Sequence, residues 1–188
     1  GRVKARCVYN GRSQRLKLTR YFSSPTLRDS SLMLCLAIAA HRGWSYRVFD
    51  ATCAFPNAGL PPGVLLFSFI PDGHPQYAER ATKVLRFHRN IYGTREGPIL
   101  WFTFLKKLLL ELFPLQQATY DECVFYGSDI IVLVYVDDFL VLGTPDKIEE
   151  FYKKLGDRLV LTAENLNGEV DFLGLTLTRC NNADIVVH

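Results

Sequence analysis

IIVLVYVDDFLVL, residues 130–142, sets two adjacent carboxylates, Asp137 and Asp138, between runs of seven and four apolar residues. The β-branched and aromatic content of both runs predicts two strands, and the short polar break between them predicts a hairpin. Asp occurs in tight turns for its own backbone hydrogen bonds, yet a two-residue hairpin turn ordinarily uses Asn-Gly or Asp-Gly, because the primed turns need positive φ. Two like charges side by side repel unless a cation lies between them or one carboxylate takes up a proton. A plain turn and a metal site are therefore both open for this pair.

Working outward, the run SLMLCLAIAAHR predicts a helix from Ser30 to Arg42, with Asp29 or Ser30 as its cap and Gly43 as its end. A strand from Ser45 to Asp50 follows, then a Pro- and Gly-rich break, a greasy strand within 63–70, a loop at 71–75, and a strand from Thr82 to Phe87. Pro98 opens a helix that runs to Phe113 and is apolar on nearly every side, as a helix buried between layers would be. Thr144-Pro145 opens another, whose Ile148, Phe151, Tyr152, Leu155 and Leu159 keep a 3.6-residue period and whose wet side pairs Glu149 with Lys153 and Glu150 with Lys154. Lys4 to Tyr9, Cys123 to Tyr126, Asp171 to Arg179 and Ile185 to His188 complete the expected strands. This order predicts an α+β fold, an antiparallel sheet with helices packed on one face.

If the strand ending at Asp50 lies beside the hairpin, Asp50 and Asp137 meet at adjacent strand ends. The result would be an oxygen-only site suited to Mg²⁺ or Mn²⁺. Two such ions could activate a 3′-hydroxyl and stabilise a leaving pyrophosphate, which is nucleotidyl transfer. Asp50 alone reads as a strand-end cap, and Phe55, five residues on, as a core side chain.

The 188 residues are 48% hydrophobic, 22% charged and 13% aromatic, enough for a full core in one domain of one or two lobes and too apolar for wholesale disorder. Five Cys at positions 7, 35, 53, 123 and 180 form no CxxC pair, which argues against a zinc module or a secreted disulfide scaffold. Reduced, mostly buried thiols in an intracellular compartment are expected. Lys106, Lys107 and Glu111 interrupt the greasiest stretch, Ile99 to Phe113, below the length of a membrane span. A first residue of Gly and a single Met, Met33, suggest a processed product or an excerpt.

The net charge of +3 is unevenly placed. Residues 1–28 hold eight of the 22 basic groups and no acid, so the remaining 160 residues set 14 bases against all 19 acids, a balance of −5. A basic end of this kind suits phosphates of a nucleic acid or nucleotide, or serves as a solubilising or docking arm.

Tyr135-Val136-Asp137-Asp138 resembles the YVDD box of reverse transcriptases. Its flanks narrow the likeness: Lys4-Ala5-Arg6 with Gly11 and Gln14, Ser24-Pro25 with Arg28, AAHRGW at the first helix end, Asp50 with Ala54-Phe55 and Asn57, Ile91-Tyr92-Gly93 with Pro98 and Trp101, Asp121 to Phe125, and Phe172-Leu173-Gly174. In order and spacing they resemble the polymerases of copia-type retrotransposons over nearly the whole chain. The resemblance implies a fingers and palm arrangement, with a fingers-like part at 1–44, a palm-like part at 45–188 and no thumb. It implies RNA-directed DNA polymerase activity on an RNA template and DNA primer with dNTP substrates.

By the same resemblance Asp50 and Asp137 are the catalytic metal ligands and Asp138 the third carboxylate. Phe55 stacks under the incoming sugar and excludes a ribose 2′-hydroxyl, Lys4 and Arg6 hold the triphosphate, and Arg95, Glu96 and Gly97 border the nucleotide pocket. Phe172, Leu173 and Gly174 grip the primer. The chain departs from the family pattern at Glu96, where Gln is usual and where a carboxylate would face the triphosphate unless turned away or neutralised, at Glu164 in place of Lys, and in the unusually greasy 59–70 stretch. Those departures motivate an alternative, a non-catalytic structural or RNA-binding subunit among the protein subunits of a larger assembly.

Overall fold

A computed structural model describes residues 8–13, 23–163, 169–180 and 184–188. Its contacts divide the chain into two units interleaved in sequence, one of residues 1–23 and 55–103, the other of 24–54 and 104–188. The boundary expected at 44/45 falls inside the second of these.

The second unit is built on a six-stranded antiparallel sheet. Its strands are β1 (Ser45–Ala51), β4 (Gln116–Gln117), β5 (Val124–Tyr126), β6 (Ile130–Tyr135), β7 (Asp138–Gly143) and β8 (Leu161–Ala163), in the order β4-β5-β6-β7-β1-β8. β6 and β7 pair from Ile130↔Gly143 to Tyr135↔Asp138, the expected hairpin, and β7 pairs with β1 from Ser45↔Gly143 to Asp50↔Asp138. Both strands of the hairpin are buried on both faces, which is why they read as continuous apolar runs rather than as an alternation.

Alternation along β1 sorts its neighbours. Phe49 faces the helix α4 (Pro145–Gly156), stacking on Tyr152 at 5.3 Å and meeting Phe151 at 6.2 Å, while Phe113 and Phe139 close on Phe151 from 4.9 and 6.4 Å. Each ring so buried contributes about 2 kcal/mol of transfer free energy. Arg47, on the same face, lies over the Phe49 and Tyr152 rings and reaches Glu149 at 3.4 Å. Tyr46, Val48 and Asp50 project from the other face, where the Tyr46 hydroxyl donates to the Leu177 carbonyl at 3.2 Å. That carbonyl belongs to a second antiparallel sheet of β9 (Glu169–Phe172), β10 (Leu175–Arg179) and β11 (Ile185–Val187). The Arg179 guanidinium ties this sheet to the start of β1 through the carbonyls of Trp44 and Gly43, at 2.9 and 3.3 Å.

Helix α1 (Asp29–His41) ends as expected at Gly43, whose φ of +63° suits a residue without a Cβ. Its start differs from expectation: Arg28 holds the N-cap position with no side-chain cap, and Asp29 lies in the first turn, where its charge complements the helix dipole. The Arg28 amide donates instead to Asp121 Oδ2 at 2.9 Å, and Asp121 Oδ1 accepts from the Cys123 amide at 3.0 Å. One buried carboxylate thus splices two segments 93 residues apart.

The first unit contains a two-stranded hairpin, β2 (Leu66–Phe69) with β3 (Val84–Phe87), and helix α3 (Gly97–Leu112) begins in it and runs on into the second. Thr103, Lys107, Leu110 and Glu111 form an exposed stripe on α3, so this helix is less enclosed than its composition predicts. A short α2 (Ala54–Asn57) follows β1. The single strand expected from Asp171 to Arg179 is two strands, β9 and β10, folded at Leu173-Gly174. Val8 and Tyr9 are not in a strand, and the rest of the strand expected there lies outside the described residues. Of the four described cysteines, all free, Cys35 and Cys123 are buried and Cys53 and Cys180 exposed, so burial is the rule for only half of them. No helix among the described residues is long and apolar enough to cross a membrane.

Candidate active site

Three strands fix the carboxylates. Asp50 is the penultimate residue of β1, Asp138 the first of β7, and the two are direct cross-strand partners, so their side chains leave the same face. Asp137 fills the second position of a two-residue turn, Val136-Asp137, between the paired Tyr135 and Asp138. Its carbonyl accepts the Ala51 amide at 2.8 Å, tying the turn to the end of β1. One carboxylate oxygen from each of Asp50, Asp137 and Asp138 lies within 4.8 Å of the others, and all three residues are half-buried. The conditional expectation from sequence, that β1 lies beside the hairpin, is met.

The donor set fits a hard divalent cation. Octahedral Mg²⁺ with bonds of about 2.1 Å separates its ligands by at most about 4.2 Å, close to the 4.8 Å within which the three oxygens lie. Without a cation, like charges directly opposite on paired strands destabilise the sheet.

The turn that presents Asp137 is strained. Val136 has φ +55°, a left-handed conformation that β-branched residues rarely adopt, while Asp137 does not have positive φ. Positive φ at the first turn position alone is the type II′ pattern, which selects Gly there. The cost, about 1–3 kcal/mol, is of a kind that collects at functional corners. Sequence reasoning noted the missing glycine and could not say where the strain would fall.

The other expected site residues are distributed as follows. Phe172 is buried at the end of β9, which lies against β1, and Leu173-Gly174 forms the two-residue turn into β10 with φ of +56° and +77°. In the first unit, Phe55 is 9% exposed and packs on Tyr92 with ring centroids 4.7 Å apart. Arg95 is exposed and shares with Tyr9, Arg12 and Gly93 the lining of an open concavity of about 460 Å³. Glu96 is fully buried, so it is turned away from any ligand in solvent rather than facing one.

Gly97 has no room for a side chain, because a Cβ would stand 2.7 Å from Thr94 Oγ1. That tight space is occupied by the chain itself. Thr94 Oγ1 donates to Asn90 Oδ1 at 2.8 Å, and Asn90 Nδ2 to the Gly97 carbonyl at 3.0 Å. Lys4, Arg6 and Glu164 lie outside the described residues. Sequence reasoning missed Asn90 and Tyr92 as individual contributors. Tyr92 stood in a quoted motif, but nothing in its spacing announced the Phe55 ring as its partner.

Burial beside Asp121 holds two thiols protonated. Cys35 is pushed up to about 11 by burial and then by Asp121, and Cys123 to about 12 by burial, then Asp121 and Glu122. Neither is a nucleophile at neutral pH. On α4, hydrogen bonds from Lys147 and Lys154 draw the Glu150 carboxyl down to about 2.

The chain is similar to two Arabidopsis thaliana proteins, the retrovirus-related Pol polyproteins from transposons RE2 and RE1, at 33% and 31% identity, each over 76% of this chain. It is also similar to the transposon Ty1-NL2 Gag-Pol polyprotein of Saccharomyces cerevisiae, at 23% identity over 82% of the chain. These matches span only about a tenth of each relative, 10%, 10% and 9% of their lengths. The family described as reverse transcriptase (RNA-dependent DNA polymerase), whose domains generally use divalent metal ions and bind an RNA template and a DNA primer, matches residues 1–187. The chain therefore belongs to the reverse transcriptase family, and within it to the copia type of retrotransposon enzymes.

Proposed function

We propose that this chain is the catalytic fingers and palm part of an RNA-directed DNA polymerase, with the unit of residues 24–54 and 104–188 acting as palm. One observation carries the reading: Asp50 and the adjacent pair Asp137 and Asp138, far from it in sequence, present oxygens within 4.8 Å of one another in a chain of this family. Asp50 and Asp137 hold divalent cations, Mg²⁺ or Mn²⁺, and Asp138 supports them. A bound cation pair supplies the acidity that readies a primer 3′-hydroxyl and the charge that offsets the leaving pyrophosphate. Phe55, held by Tyr92, limits the sugar to a deoxyribose. Lys4, Arg6 and Arg95 engage the triphosphate, where guanidinium groups give bidentate contacts. Gly97 keeps the loop before α3 tight. Phe172, Leu173 and Gly174 position the primer end.

The test is extension of a DNA primer on an RNA template by the 188-residue chain. Metal-dependent extension by the parent and its loss in Asp137→Asn are expected. No extension by a folded chain that binds Mn²⁺ and the primer-template would remove the enzymatic reading. A second reading, a non-catalytic structural or RNA-binding subunit, draws on a different observation, the exposure of Leu65, Phe67 and Phe69 on the β2–β3 hairpin. RNA binding without any extension would favour it.

A further inference from the structure

The β2–β3 hairpin has one buried face and one bare one. Leu66 and Ile70 are 6% and 4% exposed, whereas Leu65, Phe67, Phe69 and Val84 are 52%, 43%, 80% and 53% exposed. Register places Phe67 opposite Arg86 and Phe69 opposite Val84, so these four side chains share the outer face, with exposed Arg86 beside the two rings. Phe69 also borders an open concavity of about 440 Å³ shared with Tyr77 and Arg80, where the Arg80 guanidinium lies 4.1 Å from the Tyr77 ring.

Charge says what such a face would meet. Among the described residues, the unit that carries it sets six bases against three acids, +3, while the other sets 10 against 15, −5. Glu96, one of the three acids, is buried, and the other two are paired: Asp72 with Arg80 at 3.6 Å and Glu79 with Lys83. No ion pair among the described residues engages Arg86. Exposed aromatic rings with a guanidinium alongside, in a basic unit, complement a polyanion that carries flat apolar faces. The spacing selects its form. Phe67 and Phe69 are about 7 Å apart along the strand, roughly twice the 3.4 Å rise of stacked bases in a duplex, which suits unstacked bases of a single strand.

We infer that the outer face of the β2–β3 hairpin binds single-stranded RNA, with Phe67 and Phe69 stacking on successive bases and Arg86 contacting the backbone between them. The inference deepens the polymerase reading by naming where an unpaired template strand runs, and rests on that reading only for the choice of nucleic acid as partner. The face bears no part of the carboxylate corner.

The experiment is fluorescence anisotropy of a 5′-labelled 12-nucleotide single-stranded RNA with the 188-residue chain, in EDTA so that metal binding and chemistry play no part. Phe67→Ala and Phe69→Ala are each expected to weaken binding about tenfold, Phe69→Tyr to retain it, and Phe69→Leu to lose it although apolar area is kept. Arg86→Ala is expected to lower the salt slope by about 0.7. Circular dichroism and the melting temperature should not change, since both rings are exposed.

Equal affinity of the Phe67→Ala/Phe69→Ala double variant and the parent would overturn the inference, as would no binding by the parent at low salt. Retained binding in Phe69→Leu would overturn stacking. Self-association that Phe69→Ala abolishes, with RNA affinity unmoved, would assign the face to a second copy of the chain instead. Primer extension is read separately: metal-dependent extension by the parent on a template with a one-nucleotide 5′ overhang leaves the polymerase reading standing whatever the binding result.

Discussion

The β6–β7 and β9–β10 hairpins both close on two residues, and in both the first of the two is a bulky side chain at φ near +55°, Val136 in one and Leu173 in the other. They differ in the second residue. Gly174 takes positive φ freely and completes a type I′ turn, whereas Asp137 keeps negative φ and presents a carboxylate beside two others. At the first corner the carboxylate proposed for the site occupies the position a turn would otherwise choose for its backbone. At the second, the glycine absorbs half the difficulty.

The largest effect that tests this contrast is on chemistry. Asp137→Asn should lower primer extension about a thousandfold and abolish the stabilisation by Mn²⁺, about 2.7 kcal/mol at a hundredfold excess over Kd, read as a shift in Tm. Substitutions at Leu173 should leave that metal response intact. If Asp137→Asn extends normally, the two turns differ in shape and not in role.

The cysteine next to each hairpin sharpens the comparison. Cys123, whose carbonyl accepts the Val134 amide of β6 at 2.9 Å, is buried, and Cys180 follows β10 exposed. The reactive species is the thiolate, and raising Cys123 from 9.0 to about 12 cuts its population at pH 8 by about 10³. Because the folded state keeps this proton where the unfolded chain releases it, the contribution of Cys123 to stability is full below pH 9 and falls as pH climbs from there towards 12. Alkylation followed by mass spectrometry should therefore modify Cys180 at least a hundredfold faster. Comparable rates would show that the β6 side opens as readily as β10.

Next in size, Asp121→Ala should cost about 2–3 kcal/mol in chemical denaturation, because it leaves the amides of Arg28 and Cys123 without an acceptor. Val136→Gly should stabilise by about 1–2 kcal/mol and Leu173→Gly by about 1 kcal/mol, by release of backbone strain. A destabilised Val136→Gly would mean that the valine side chain contributes more than its backbone costs. Smallest of all, Asp138→Asn without metal should stabilise by about 0.2–1 kcal/mol through loss of the charge directly opposite Asp50, a gain that Mn²⁺ should cancel.

How much of this was legible follows from what each feature depends on. The β6–β7 hairpin and helices α1 and α4 were readable because their apolar patterns are local and long. The carboxylate corner was readable only conditionally, since register between β1 and β7 is a nonlocal fact, and the resemblance to reverse transcriptases supplied the condition. Other features left no local trace. Asp121 bonds a residue 93 positions away, Glu96 is buried by packing that no periodicity encodes, and the break in 171–179 hangs on one glycine after an ordinary leucine.

The hydrogen bond from the Ala51 amide to the Asp137 carbonyl has an experimental corollary. It anchors the peptide unit and leaves the side chain out of the anchoring, so amide or alanine replacements at position 137 inherit the parent's loop conformation. Under the polymerase reading, such a variant reports on electrostatics at the corner and makes an inactive twin, suited to trapping a primer-template that the parent would extend.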